Sequence, residues 1–340
     1  MTTRLEKNLA DSISLALGYS PPARALVIFD LQSPLSQRLT ESYRRALPDA
    51  RFVDFGERTH AEVLAEIDTL APGDLAVMIE STRFDLREFR FRLELFRRKL
   101  AVIEHPHLAR MNGPEMETYV DSLAYDPGYY RPLGHELKRR LDQARSVRIL
   151  GEGNELHYTG PFETAKLNVG DYAGFTNIGG QFPIGEVFTE PCDLRSVRGE
   201  ALIFAFGDSS FAVNVPETPI VLEIEQGEVT GAPGASADFL EILDTIRAGE
   251  EKIRIRELGL GLNPAMTRER RVADVGTYER MCGVHLSLGA KHAVYPKAGF
   301  NRQNARFHID VFAVADRVEI DGTAVFENGR YFDPRSCDET

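Results

Sequence analysis

Three cysteines in 340 residues, Cys192, Cys282 and Cys337, lie far apart and form no Cys-x-x-Cys pair. Their scarcity excludes a zinc knuckle and a disulfide framework, and a reducing cytoplasm is the simplest compartment. Nothing approaches the roughly 18 consecutive apolar residues of a membrane-spanning helix. The opening Met1-Thr2-Thr3-Arg4-Leu5-Glu6-Lys7-Asn8 has no apolar core followed by a small-residue cleavage site, so no secretion signal is expected. An excess of positive charge is missing too. The formal net charge is −12, whereas a nucleic-acid partner needs a cationic footprint. No Gly-x-Gly-x-x-Gly follows an apolar run, which leaves a dinucleotide site without support. What is present, 43% hydrophobic and 27% charged residues, describes an ordinary soluble globular chain long enough for two domains.

Up to about residue 145, short apolar runs alternate with helical stretches. Ala25-Leu26-Val27-Ile28-Phe29, Arg51-Phe52-Val53-Asp54-Phe55, Asp74-Leu75-Ala76-Val77-Met78-Ile79 and Ala101-Val102-Ile103 read as strands, with helices over 36–46, 60–70 and 83–100. That rhythm predicts a parallel sheet flanked by helices. The 83–100 helix is basic. Its apolar stripe Leu86, Phe89, Leu93, Phe96 and Leu100 leaves Phe91 and Leu95 on a side free for a partner, and Glu88–Arg92 and Glu94–Arg98 are i,i+4 pairs. His105-Pro106-His107 reads as a loop pair without function. Two helices, broken at Asp126-Pro127-Gly128, fill 114–145. From Val147-Arg148-Ile149-Leu150 onward the chain turns glycine-rich and β-patterned, with hairpin turns at Gln226-Gly227, Asp321-Gly322 and Asn328-Gly329. The fold class is therefore α/β: an N-terminal parallel-sheet α/β domain over 1–145, then a β-rich α+β domain over 146–340.

The chemistry concentrates late in the chain. In Arg306-Phe307-His308-Ile309-Asp310-Val311-Phe312, apolar Phe307, Ile309 and Val311 alternate with His308, Asp310 and Phe312. Side chains two apart on a strand share a face, so His308 and Asp310 project into one space. With His285 from Gly283-Val284-His285-Leu286-Ser287-Leu288-Gly289, they offer the imidazole and carboxylate donors that suit zinc, manganese, cobalt or ferrous iron. Two acids stand in equally unusual settings. Glu186 follows Gly179-Gly180-Gln181-Phe182-Pro183-Ile184-Gly185, and Glu257 opens Glu257-Leu258-Gly259-Leu260-Gly261-Leu262-Asn263-Pro264. Three carboxylates with two imidazoles exceed the three or four ligands one metal needs, which leans towards two cations.

The segments Gly185-Glu186-Val187-Phe188-Thr189-Glu190-Pro191, Glu257 to Pro264, His285-Leu286-Ser287-Leu288-Gly289 and His308-Ile309-Asp310 resemble, in order, the signatures of the thermophilic metallo-aminopeptidase family of aminopeptidase T or leucyl aminopeptidase type. The likeness covers roughly residues 150–333. It implies metal ligation by Glu186, Glu257, His285, His308 and Asp310, two divalent ions (zinc, cobalt or manganese), and a homodimer. It also implies a hydrolase that cleaves the bond after an N-terminal amino acid in a peptide or related amide. Two departures stand out. Gly185 occupies a place where the family usually carries a second glutamate. The tyrosine ligand that follows the His-containing segment has two counterparts in Lys291-His292-Ala293-Val294-Tyr295-Pro296, namely His292 and Tyr295. Tyr295 is the candidate partner of the tetrahedral oxyanion.

Two other classes compete. His285, His308 and Asp310 alone would make the 2-His-1-carboxylate iron site of an oxygenase, and the superfamily that the resemblance points to includes ring-cleaving dihydroxypyridine dioxygenases. Glu257 stands where those enzymes are expected to carry histidine. A non-catalytic peptide-holding relative would also account for Gly185 and the altered tyrosine segment. Lys291, Lys297 and Arg302 lie between candidate ligands, as a charged loop or as receivers of a substrate carboxylate.

Overall fold

The computed structural model describes residues 2–20, 23–84, 91–300 and 303–333. The chain folds as two compact units, one of Met1–Arg131 with Val169–Ile184, the other of Pro132–Asn168 with Gly185–Thr340. The first is built on a parallel five-stranded sheet ordered Arg51–Asp54, Ala25–Phe29, Leu75–Ile79, Ala101–His105 and Ile178–Gln181. The three inner strands are buried at every residue, as expected where helices cover both faces, while edge strand Arg51–Asp54 is partly exposed. The helix over Pro34–Ala46 starts where Ser33 accepts a hydrogen bond from the Ser36 N–H and Pro34 takes the first turn. The last strand, with Gly179 and Gly180, joins this sheet from far down the chain.

The basic stretch corrects the sequence reading. Its described helix is short, Phe91–Arg97, and it buries Phe91 and Leu95 against Leu26, Met78, Leu100 and Val102, while Leu93 is 55% exposed. The i,i+4 pair Phe91/Leu95 takes the sheet side, so these two residues face no external partner. Leu86, Phe89 and Glu88 lie outside the described residues. The Glu94–Arg98 pair forms at 2.9 Å, and Arg92 reaches Glu104.

His105 is part of the core. Its Nε2 lies 2.8 Å from the Tyr43 hydroxyl and its Nδ1 2.7 Å from that of Tyr119. Tyr119 donates to the Phe182 carbonyl at 3.3 Å, so His105 donates from Nδ1 and accepts from Tyr43 at Nε2. Burial disfavours the imidazolium and pushes the pKa down to about 3. Because this folded value is depressed below the unfolded one, the stability contribution is complete above about pH 6.5 and is lost as pH falls towards 3. The slope is about 1.4 kcal/mol per pH unit in that window. Urea unfolding of the wild type and His105→Gln between pH 7 and 4.5 should show the variant's curve flatter by that amount. Parallel curves would refute the linkage.

The second unit carries an antiparallel sheet that runs Arg330–Tyr331, Thr323–Glu327, Arg317–Ile320, Ser146–Gly151, Asn154–Thr159, Val197–Gly207, Ile309–Ala313, Gly283–Leu288, Ile255–Gly261, Glu186–Thr189 and Lys166–Asn168. The hairpin Ile220–Glu225 with Glu228–Gly231 branches from the long strand Val197–Gly207. Its Gln226-Gly227 turn, and those at Asp321-Gly322 and Asn328-Gly329, have positive φ at both residues, the backbone that favours these dipeptides. The observed architecture is thus the expected α/β class, a parallel-sheet unit with a β-rich one.

Candidate metal centre

Four strands that lie side by side, Glu186–Thr189, Ile255–Gly261, Gly283–Leu288 and Ile309–Ala313, carry Glu186, Glu257, His285 and Asp310. Register puts Gly259 opposite His285, Gly261 opposite Glu186 and Ser287 opposite Asp310. The ladder shifts between Ile255 and Leu258, so Arg256 and Glu257 sit in a β-bulge, a device that re-aims side chains. The Glu257 N–H left over by the bulge donates to the Ser287 hydroxyl at 3.0 Å. The glycines that follow Glu257 have a steric purpose. A Cβ on Gly259 would lie 2.0 Å from the His285 ring, and one on Gly261 would lie 2.0 Å from the Met281 carbonyl.

Three of the expected ligands converge tightly. His285 Nε2 lies 3.3 Å from Glu186 Oε1 and 3.2 Å from Glu257 Oε1, all three residues being buried. His308 and Asp310 form a second group, with Nε2 3.1 Å from Oδ1. His308 precedes its strand rather than lying inside it, and its Nδ1 is held 3.0 Å from the Lys291 carbonyl. His292 completes this side. Its Nε2 lies 2.7 Å from Glu257 Oε2, and its ring is 5.6 Å from that of His308. Glu257 therefore turns one oxygen to each group.

Electrostatics binds the cluster together. Burial of Glu257 favours the neutral acid, but His285, His292 and His308 overcome it and hold the carboxyl well below the usual range. Burial disfavours the His308 imidazolium, yet Asp310 and then Glu257 push its pKa up to about 10. His285 is raised well above its ordinary value against its own burial, through Glu186 and Glu257. Two buried donor atoms in the cluster are left without a well-formed hydrogen bond. His292 Nε2 and Asp310 Oδ1 make no hydrogen bond of good geometry despite their short approaches, and an imidazole nitrogen and a carboxylate oxygen are common ligand atoms for divalent cations. The residues present thus fit the implied metals.

Tyr295 stands back from this cluster. Its hydroxyl lies 2.9 Å from the Thr164 carbonyl and 3.2 Å from that of Phe188, while its ring backs His292 at 4.9 Å. Of the two residues that could follow the His-containing segment, His292 is the one that reaches Glu257. Gly185 has φ +121, a backbone that a glutamate would strain. Lys297 is not free to receive a substrate carboxylate, since it pairs with Glu163 and, at 3.1 Å, with Glu190. Arg302 lies outside the described residues.

Sequence reasoning missed two charged neighbours. Arg280 Nη2 lies 3.4 Å from Glu186 Oε2, and Nη1 bonds Glu279 and the Gly276 carbonyl. Burial raises the proton affinity of Glu279 well above the usual, Arg280 works against it, and Asp310 and Glu186 add to it. Neither residue carries a motif; each reads as an ordinary surface charge. A cavity of about 360 Å³ lined by Phe206, Asp208, Asn214, Ile242, Phe307 and Ile309 contains none of the candidate ligands.

No protein-family model matches the chain, and no curated protein sequence does either. Among solved structures, it is similar to 2,5-dihydroxypyridine dioxygenase from Pseudomonas putida KT2440, with 17% identity and a TM-score of 0.64 over 98% of this chain and 99% of that one. It is also similar to wild-type AmpT, an aminopeptidase T, from Thermus thermophilus, with 16% identity and a TM-score of 0.58 over 97% and 99%. Both likenesses extend well beyond residues 150–333, into the N-terminal part. No helix among the described residues is long and apolar enough to cross a membrane. At these identities the finding is one of architecture: the chain shares the fold of a dihydroxypyridine dioxygenase and of an aminopeptidase, and has a buried Glu-Glu-His cluster that could hold a metal.

Proposed function

We propose that the second unit binds two divalent cations and hydrolyses an amide bond next to the N-terminal amino acid of a peptide or amino-acid-derived substrate. The observation that carries this reading is the Glu257 carboxylate, with Oε1 towards His285 and Glu186 and Oε2 towards His292, beside His308 and Asp310. A carboxylate that serves two groups is suited to bridging two cations, and a single cation would leave ligands to spare. When bound, zinc, cobalt or manganese would supply Lewis acidity and an acidified water. The chain's own groups do the rest. Glu186 is steadied by Arg280, and Glu257 by the three histidines. Glu279, partly buried, paired with Arg280 and of raised proton affinity, is the candidate to accept and return a proton. Tyr295 acts by holding the His292 ring in place.

A second reading has its own observation. The Ser287–Asp310 register puts His285 and Asp310 on one face with His308 3.1 Å from Asp310, a 2-His-1-carboxylate set for ferrous iron. Metal analysis of protein purified without chelator separates the two. The hydrolase reading expects about two zinc, cobalt or manganese ions per chain, lost in Glu186→Ala and in His308→Ala, with hydrolysis of aminoacyl amides by the wild type. One iron per chain, retained in Glu186→Ala and lost in His308→Ala, would transfer the assignment to the dioxygenase. No metal after reconstitution would overturn both and leave a binding protein.

A further inference from the structure

Beside the proposed ligands runs a buried ion network that none of the roles above uses. Arg256 and Glu190 are 1% and 0% exposed, and their pair is bidentate, with Nε to Oε2 at 2.7 Å and Nη2 to Oε1 at 2.9 Å. The same guanidinium donates from Nη1 to the Ala290 carbonyl and from Nη2 to the Tyr295 carbonyl at 2.7 Å. Ala290 and Tyr295 bracket the loop that carries His292. Phe300 covers the guanidinium at 5.4 Å, and Lys297 shares Glu190 Oε1 with Arg256, at 3.1 Å. The His292 ring packs with Phe188 at 6.2 Å and with Tyr295 at 4.9 Å, and those two rings also meet, at 6.1 Å.

Arg256 is also the chain neighbour of Glu257 in the bulge. One residue of the bulge faces the candidate ligands while the next holds both ends of the loop that supplies His292. Arginine suits this place because its planar fork satisfies a carboxylate and two carbonyls at once, where a lysine ammonium offers a single point. We propose that Arg256, locked by Glu190, is a positioning residue that delivers His292 Nε2 to the metal centre. This rests on the two-cation reading above.

The test is a double-mutant cycle on cation affinity, measured by competition of zinc with a chromophoric chelator, for wild type, Arg256→Lys, His292→Ala and the double variant. Arg256→Lys should weaken zinc binding by about 10–100-fold, the range for residues that orient a ligand. The double variant should bind no more weakly than His292→Ala, because Arg256 acts through that ring. Hydrogen exchange at residues 290–297 should rise in Arg256→Lys. Glu190→Gln, which keeps the arginine but removes the charge that locks its guanidinium, covers the case in which Arg256→Lys does not fold, and should show the same non-additivity with His292→Ala. Losses that multiply in the double variant, or a wild-type affinity in both single variants at Arg256 and Glu190, would overturn the positioning role while the two-cation reading stands. A wild type that binds no zinc would overturn both.

Discussion

Glu257→Gln should strip the site of its cations and destabilise the chelator-treated protein as well. Among the described residues, this carboxylate turns one oxygen to each half of the cluster. An amide offers one neutral oxygen and an N–H₂ that cannot ligate, so one half loses its donor and the other keeps only an uncharged one. Metal content is expected to fall from about two per chain to one or none. Without metal, Glu257 is the counter-charge that His285 and His308 share, and removing one partner of a buried charged pair costs about 3–5 kcal/mol. Elemental analysis and chelator-treated urea unfolding read the two effects separately. Retention of both ions by a folded Glu257→Gln protein would remove the bridging role.

Gly259→Ala is the second large effect, and it comes from a single methyl group. The added Cβ would lie 2.0 Å from His285 Cε1 and Nε2, far inside van der Waals contact. The ring is 1% exposed and enclosed, so it has little room to yield. Either the ring leaves its place between Glu186 and Glu257 or the strands Ile255–Gly261 and Gly283–Leu288 part. Overpacking of this kind costs about 1–3 kcal/mol, and cation affinity should drop at least as far as in His285→Ala. Thermal unfolding with and without zinc measures both. A variant with unaltered zinc affinity would mean that the His285 ring is not confined as described.

Much of the cluster is legible in the amino-acid sequence, through the resemblance to known signatures and the alternation of residues 307–312. His308 and Asp310 meet because a two-residue repeat is a local property of the backbone. The glycines after Glu257 hint at close approach, and they give the His285 ring its space. Sequence cannot choose His292 over Tyr295, because its place depends on a loop whose two ends are tied to Arg256, and nothing local marks an arginine as fully buried. Glu279 and Arg280 escape because no local motif marks a charged pair that tertiary structure brings up against Glu186. The basic helix misleads through its phase: the stripe counts Leu93 inward, whereas Phe91 and Leu95 pack on the sheet. The glycine pair at 179–180 reads as part of a turn-rich domain, yet Ile178–Gln181 pairs with Ala101–His105, a partner that only tertiary structure selects.

The four neighbouring ligand strands reach from residue 186 to residue 310, with no two consecutive ligands closer than a hairpin except His308 and Asp310. Such a set comes together only after distant segments have paired, which is the slow, late part of forming a sheet. A cation held by these residues would reward the finished structure and offer nothing to its precursors. Its free energy would enter as mass action on the native state, about 2.7 kcal/mol at a hundredfold excess over the dissociation constant. It would then act on the lifetime of the folded molecule and leave the speed of folding as it was.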